Sequence, residues 1–526
     1  MPTPSRIAAL LSTAALGLAA CGGDAGGSSP VAPETSAPAC TAAASVNLGV
    51  GETAVLSAAQ AACFNLAAGS GAEYALAGYD ARALEAARGG SPAGTLSDPA
   101  YTIADATYGG AARSLSTGGA SPAAAALPAH ITRNTAVADA SDDSPFARST
   151  PWVQGERFSV APIEGTGPVT ARVVRVVGGR FALAVIEKDE AGTQQVLEEA
   201  GAALEFLAQR GVPLLQSTFS AGVPTTSAGS GQLLILATAW DPAKGAAATW
   251  SREDAQGAYS FVWFNMNLRG GKGQGFEMYD HASYRVKVLG HELTHAWQAA
   301  WLHGERGVAP ADAGWAVEGG ADFVAMDLVR RYLNVGQASN WRWSDNLEPG
   351  RESVVFALEP FGAQGRVTWG YYDASSLLRD LQARLVAAGM TPEAAMTEVS
   401  RGAAEGWYGG DGEGGRAGLV ERMRARLGAG WDPAGAVLLW TATQAADDRT
   451  SNPALNNPTY YQVGEGSAQY GWKAAGEVRA GSGQSTAVSQ VAGGSFYVRL
   501  RGASAAGVVS ATSTSSDARW MIARVR

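Results

Sequence analysis

Histidine is scarce in this chain, five among 526 residues, and cysteine is scarcer, with three. Cys40 and Cys63 do not carry zinc-ligand spacing. Only 17% of residues are charged and the net charge is -9, which excludes the basic surface that a nucleic-acid partner requires. The apolar run Ile7 to Ala20 is too short to span a bilayer as a mature helix. The glycine-rich stretch Gly270 to Gly275 lacks the order of a phosphate loop, and Gly409 to Gly415 lacks the acidic alternation of an EF-hand loop, so both read as turns or linkers. What is present is a chain 46% apolar, globular in composition and long enough for several domains.

The few histidines are not scattered. His281, His291, His295 and His303 fall in one short window, predicted to be helical from about Ser283 to Trp301. Residues four apart share a helix face, so His291 and His295 can direct imidazole nitrogens at one metal ion, with Glu292 beside it. With so few histidines, a chance His291-Glu292-Leu293-Thr294-His295 is improbable. Zinc with an open fourth position lowers the pKa of bound water to about 7, and a neighbouring carboxylate can take the proton. A third histidine ligand of the metzincin kind would need glycine at 298 and histidine at 301, where the chain has Gln298 and Trp301.

A glutamate ligand is available instead. In Trp315-Ala316-Val317-Glu318-Gly319-Gly320-Ala321-Asp322, Glu318 follows His295 by 23 positions, room for one helix to end and an antiparallel one to begin. Gly319 and Gly320 cost about 1 kcal/mol each in a helix interior, which implies backbone packed closely against a neighbour, the HExxH helix being the candidate. Asp322, one turn beyond Glu318, can accept the second ring N–H of a ligating histidine. The competing reading is an amphipathic core helix with a solvated glutamate.

HELTHAW followed by WAVEGGAD resembles the gluzincin metallopeptidases, the group of thermolysin-like and aminopeptidase N-like enzymes, over Leu233 to Ala388. The resemblance implies Zn2+ held by His291, His295 and Glu318, with Glu292 as general base and Asp322 as the group orienting a ligand. Trp369 to Leu381 resembles the family helix bearing an oxyanion-stabilising tyrosine, which puts Tyr371 in that role with Tyr372 as the alternative. The β-rich stretch Ala258 to Asn267 is the candidate for the edge strand that pairs with extended substrate, an ordinary sheet strand being the other reading. There is no GAMEN motif, so an endopeptidase acting on protein or peptide is expected over an exopeptidase. The reading from a different class is a catalytically silent surface binding lipoprotein that uses the same core as scaffold.

Leu18-Ala19-Ala20-Cys21 resembles a bacterial lipobox: residues 1–20 are the expected signal, Cys21 the lipidated residue that anchors the chain to a membrane, and 21–39 a tether. Gly22 is not the aspartate of inner-membrane retention, so an outer-membrane or surface location in the cell envelope is expected. Cys40 and Cys63 form an even pair for an oxidising compartment, and their disulfide would stabilise the fold by about 3 kcal/mol. Nothing in the sequence sets the oligomeric state.

The expected fold class is α+β: a gluzincin-type core with a sheet lobe and a helical lobe, flanked by small N- and C-terminal β domains. The boundaries are a small β domain at 40–108, a linker at 109–149, a hairpin region at 150–190, the catalytic domain at 191–450 and a C-terminal β domain at 470–526. The hairpin joins Thr170 to Val177 with Phe181 to Ile186 through Gly178-Gly179-Arg180. Beyond the metal motifs, helices are predicted around Tyr371 to Ala388, Pro392 to Arg401, Ala417 to Leu427 and Pro433 to Ala446.

Overall fold

The computed structural model describes residues 44–69, 71–82, 84, 96–97, 99–106, 113–114, 135–136, 145–163, 167–240, 247–254, 257–267, 281–306, 314–334, 370–408, 417–446, 474–489, 493–502 and 506–526. The N-terminal strands are Ala44–Val46 (β1), Thr53–Leu56 (β2), Phe64–Leu66 (β3), Glu73–Asp80 (β4), Ala100–Asp105 (β5) and Arg113–Ser114 (β6), with the short helix Ala58–Ala62 (α1) between β2 and β3. The central strands are Thr135–Ala136 (β7), Arg157–Val160 (β8), Val169–Val177 (β9), Phe181–Ile186 (β10), Leu233–Thr238 (β11), Ala247–Asp254 (β12) and Gly257–Asn265 (β13). The C-terminal strands are Gly476–Arg479 (β14), Gln484–Ser489 (β15), Ser495–Arg501 (β16), Gly507–Ser513 (β17) and Ala518–Arg524 (β18). The result is a mixed α+β protein.

The N- and C-terminal strands, expected as two separate domains, are interleaved in one β unit. One sheet runs β1-β3-β17-β5-β15-β6 and the other β14-β16-β4-β18-β2, so each draws strands from both ends of the chain. The sequence hid this because strand pairing is non-local: Trp520 opposes Gly78, and Val498 opposes Leu76. The alternation along β18 shows the layering. Trp520 and Ile522 enter the core between the two sheets with Phe64, Tyr101 and Leu76, while Met521 and Ala523 turn outward to the helical lobe.

The seven-stranded central sheet runs β7-β12-β13-β11-β10-β9-β8. The β9–β10 hairpin turns where expected, with Gly178 and Gly179 at φ 57° and 66°, a left-handed conformation that glycine adopts without steric cost. The sheet is covered on both faces: Leu183, Ile235, Val262 and Phe264 pack under the helices, whereas Ala184, Leu236, Phe261 and Trp263 pack with Phe146 and Trp152. The hairpin is therefore part of the same sheet as β11 to β13, and no boundary falls at 190. Within the stretch expected as a linker, β6 pairs with β15 and β7 pairs in parallel with β12.

Helices Gln194–Phe206 (α2), Val212–Phe219 (α3) and His281–Arg306 (α4) lie on the inner face of that sheet. Gly314–Tyr332 (α5), Gly370–Ala387 (α6), Pro392–Glu405 (α7), Leu419–Leu427 (α8) and Pro433–Ala446 (α9) build the helical lobe, close to the stretches predicted from periodicity. Helix α9 ties this lobe to the β unit through the Thr441 hydroxyl, 2.8 Å from that of Ser495. No helix of the described residues is long and apolar enough to cross a membrane.

Candidate active site

Helix α4 is buried without interruption from Ser283 to Ala299, wedged between the sheet and α5. A helix so enclosed would ordinarily be apolar all round. This one instead carries Arg285, Lys287, His291, Glu292, Thr294, His295 and Gln298 in its buried stretch, and polar groups there require partners. Helix α5 supplies Glu318 near its start and Asp322 one turn later.

Three donor atoms converge. His291 Nε2 and His295 Nε2 are 3.1 Å apart, and each is 3.2 Å from Glu318 Oε2. Donors about 2.0 Å from a tetrahedral zinc ion would lie about 3.3 Å from one another, so this near-equilateral triangle fits such an ion. Two nitrogens, one carboxylate oxygen and burial of all three residues match the donor chemistry of a catalytic zinc site. Among the described residues it is the one cluster of three or more His, Cys, Asp or Glu side chains able to hold a metal. The side chains of His281 and His303 lie outside the described residues.

Each imidazole is held from behind. Gln298 donates from Nε2 to the Val317 carbonyl at 3.0 Å, which turns its Oε1 toward His295 Nδ1 at 2.8 Å. With Nδ1 directed at Gln298 Oε1, Nε2 is the ring nitrogen left to ligate a metal. His291 Nδ1 is 3.6 Å from Asp322 Oδ1, an ion-pair distance, and the same oxygen lies 2.8 Å from Lys287 Nζ. Gly320 makes the arrangement possible: a Cβ there would sit 3.0 Å from Ala403 Cβ and 3.3 Å from Gln298 Nε2. At Gly320 the close approach thus involves α7 as well as α4.

Charge follows from this geometry. Burial raises a carboxyl, but the two histidines beside Glu318 outweigh it and bring that group down to about 2. Burial likewise opposes ionisation of Asp322, which Lys287 and His291 nevertheless hold well below the usual carboxylate range. Burial lowers an imidazolium, yet the Asp322 and Glu318 carboxylates keep His291 up at about 9 with no metal bound. Glu292 is raised by burial, against the pull of both histidines and of the Thr249 hydroxyl.

Sequence reading missed three residues: Lys287, Gln298 as a partner of His295, and Thr249, whose Oγ1 lies 2.6 Å from Glu292 Oε2. Thr249 belongs to β12, and this corrects the strand assignment. The expected edge strand, β13, lies between β12 and β11 with both its edges paired. Its aromatic and β-branched residues fill both faces of the sheet, the mark of an interior strand. The strand against the HExxH glutamate is β12, whose outer edge carries the two-residue β7 opposite Trp250 and Ser251. Tyr371 and Tyr372 fall in the first turn of α6, and their side chains lie outside the described residues. Cys63 is disulfide-bonded, while Cys21 and Cys40 lie outside the described residues.

No protein-family model matches the chain, and no curated protein does. Among solved structures, the chain is similar to an aminopeptidase N family protein from Idiomarina loihiensis at 15% identity and a TM-score of 0.25, covering 44% of this chain and 40% of that one.

Proposed function

We propose that this chain is an extracytoplasmic zinc-dependent peptidase, anchored in the bacterial envelope by a lipid on Cys21, that hydrolyses peptide bonds of proteins or peptides as an endopeptidase. The observation that carries the reading is the triangle of His291, His295 and Glu318 donors at 3.1–3.2 Å, with the Glu292 carboxylate of the same HExxH motif buried beside it. Bound there, zinc supplies an acidified water of pKa about 7 and polarisation of a carbonyl oxygen.

The chain's own residues do the rest. Gln298 and Asp322 orient the two imidazoles, and Lys287 balances the Asp322 charge. Glu292 takes the proton of the attacking water and delivers it to the amide nitrogen as the C–N bond breaks. Burial raises its pKa, which brings a carboxylate nearer to the range where it can both accept and return a proton at neutral pH. Tyr371, by the family resemblance, donates to the oxyanion. A silent scaffold could hold zinc without Glu292, so its presence speaks for catalysis.

The test is hydrolysis of an unfolded protein by the soluble form that begins after Cys21, with bound zinc quantified, against Glu292→Gln. Cleavage by a chain with one zinc, lost in a variant that keeps its zinc, is the expected result. Full zinc content without cleavage of any peptide overturns the peptidase reading, and absence of zinc overturns the site.

A further inference from the structure

We infer that Thr249 is the positioning residue of Glu292, so that the base is oriented from the sheet and not from its own helix; this rests on the peptidase reading above. On a helix, consecutive residues point about 100° apart, so with His291 turned toward Glu318 the neighbouring Glu292 leaves that face and is directed at β12. Its side chain has three rotatable bonds, and the sheet fixes them. Thr249 Oγ1 lies 2.6 Å from Glu292 Oε2 and 3.0 Å from the Glu292 main-chain oxygen. One hydroxyl proton serves one acceptor at a time, and 2.6 Å is the length of a hydrogen bond from a hydroxyl to a carboxylate, which assigns the proton to Oε2.

Thr249 is well suited to hold a fixed direction. It is fully buried and β-branched, with little freedom at χ1. Its backbone is clamped in an antiparallel ladder, opposite Val262, between the pairs Ala247–Phe264 and Ser251–Ser260. Ala247 and Phe264 belong to the core under the helices, whereas Ala248 and Trp263 belong to the core on the other face. A register slip of one residue in β12 would turn the hydroxyl to that other face. Both side-chain hydrogen bonds that the described structure gives Thr249 end on Glu292. The strand thereby holds Oε2 in a fixed direction.

Two measurements test this on the full chain. In the zinc-loaded form, with reduced and alkylated casein as substrate, Thr249→Val is expected to lower kcat at least tenfold with KM within twofold and one zinc retained. Thr249→Ser, which keeps the hydroxyl, is expected to return kcat to within about threefold of the parent, and Thr249→Val added to Glu292→Gln to cost nothing further. The second readout needs no activity. In urea unfolding of the metal-free chain, Thr249→Val and Glu292→Gln are expected to be non-additive by at least fivefold in the unfolding equilibrium constant. Should Thr249→Val misfold, the same two measurements with Thr249→Ser and Thr249→Ala decide the matter. Additive unfolding, an unchanged kcat without the hydroxyl, or a Ser variant as impaired as Val each overturns the inference while hydrolysis by the parent leaves the peptidase reading standing. A zinc-loaded parent that cleaves nothing overturns that reading and the catalytic role of Thr249 with it, whereas the unfolding cycle still reports on the contact.

Discussion

Lys287 Nζ lies 2.8 Å from Asp322 Oδ1, with both side chains almost fully enclosed between helices α4 and α5. Replacing Lys287 leaves the buried Asp322 charge balanced by His291 alone, 3.6 Å away. Lys287→Met is therefore expected to destabilise the metal-free protein by about 3 kcal/mol, and Lys287→Met combined with Asp322→Leu to recover most of that loss. Urea unfolding of the two variants checks both values.

Metal uptake is expected to release a proton. Because His291 is held up at about 9, its ring is protonated at neutral pH in the metal-free protein and must deprotonate to ligate. Apparent zinc affinity then rises about tenfold per pH unit until pH reaches about 9, and titration calorimetry in buffers of different ionisation heat counts the proton.

The same shifts set the acid and alkaline limits of the metal-free fold. Protonated His291 contributes stability that is complete below its ordinary value of 6.5 and lost as pH rises through about 9. Ionised Glu318 contributes stability that is present above its ordinary 4.5 and lost as pH falls toward about 2. Unfolding midpoints measured across pH, before and after loading zinc, check both limbs.

Gln298→Leu removes the acceptor of the His295 Nδ1 proton and the donor to the Val317 carbonyl together. Zinc affinity is expected to fall about tenfold to a hundredfold, read by competition with a chelator, while the helix itself persists.

Gly320→Ala places a methyl group 3.0 Å from Ala403 Cβ and 3.3 Å from Gln298 Nε2. The overpacking is expected to cost about 1–3 kcal/mol, and Ala403→Gly in the same chain to restore part of it. Thermal unfolding of the single and double variants separates the two effects.

How much of this could be read from the sequence depended on the range of the interaction. His291, His295, Glu318 and Asp322 could be grouped because helical spacing is local and HExxH followed by a glutamate is a pattern in one dimension. Lys287 and Gln298 obey the same spacing, four residues before His291 and three after His295, and the signal was there to be used. Thr249 could not be placed this way, because its relation to Glu292 exists only through the pairing of β12 with β13. The misassignment of β13 as an edge had a related cause, since periodicity shows that a stretch is a strand and not which neighbours it has. The helices at 392–405 and 433–446 were legible from their periodicity, and each begins with a proline, a residue that fits a first turn.

The interleaved β unit has a consequence for biogenesis. Strand β4, near the beginning of the chain, finds its neighbours in β16 and β18, more than four hundred residues later. Neither terminal sheet can close until strands β14 to β18 have been made. The segments that build the donor triangle are synthesised between the two halves of a clasp that fastens last. Such long-range pairing is slow. A chain truncated by a few dozen residues at its C-terminus would thus carry every metal ligand and still leave the first sheets unfinished, exposing their apolar cores to whatever folding and quality-control factors it meets on its route.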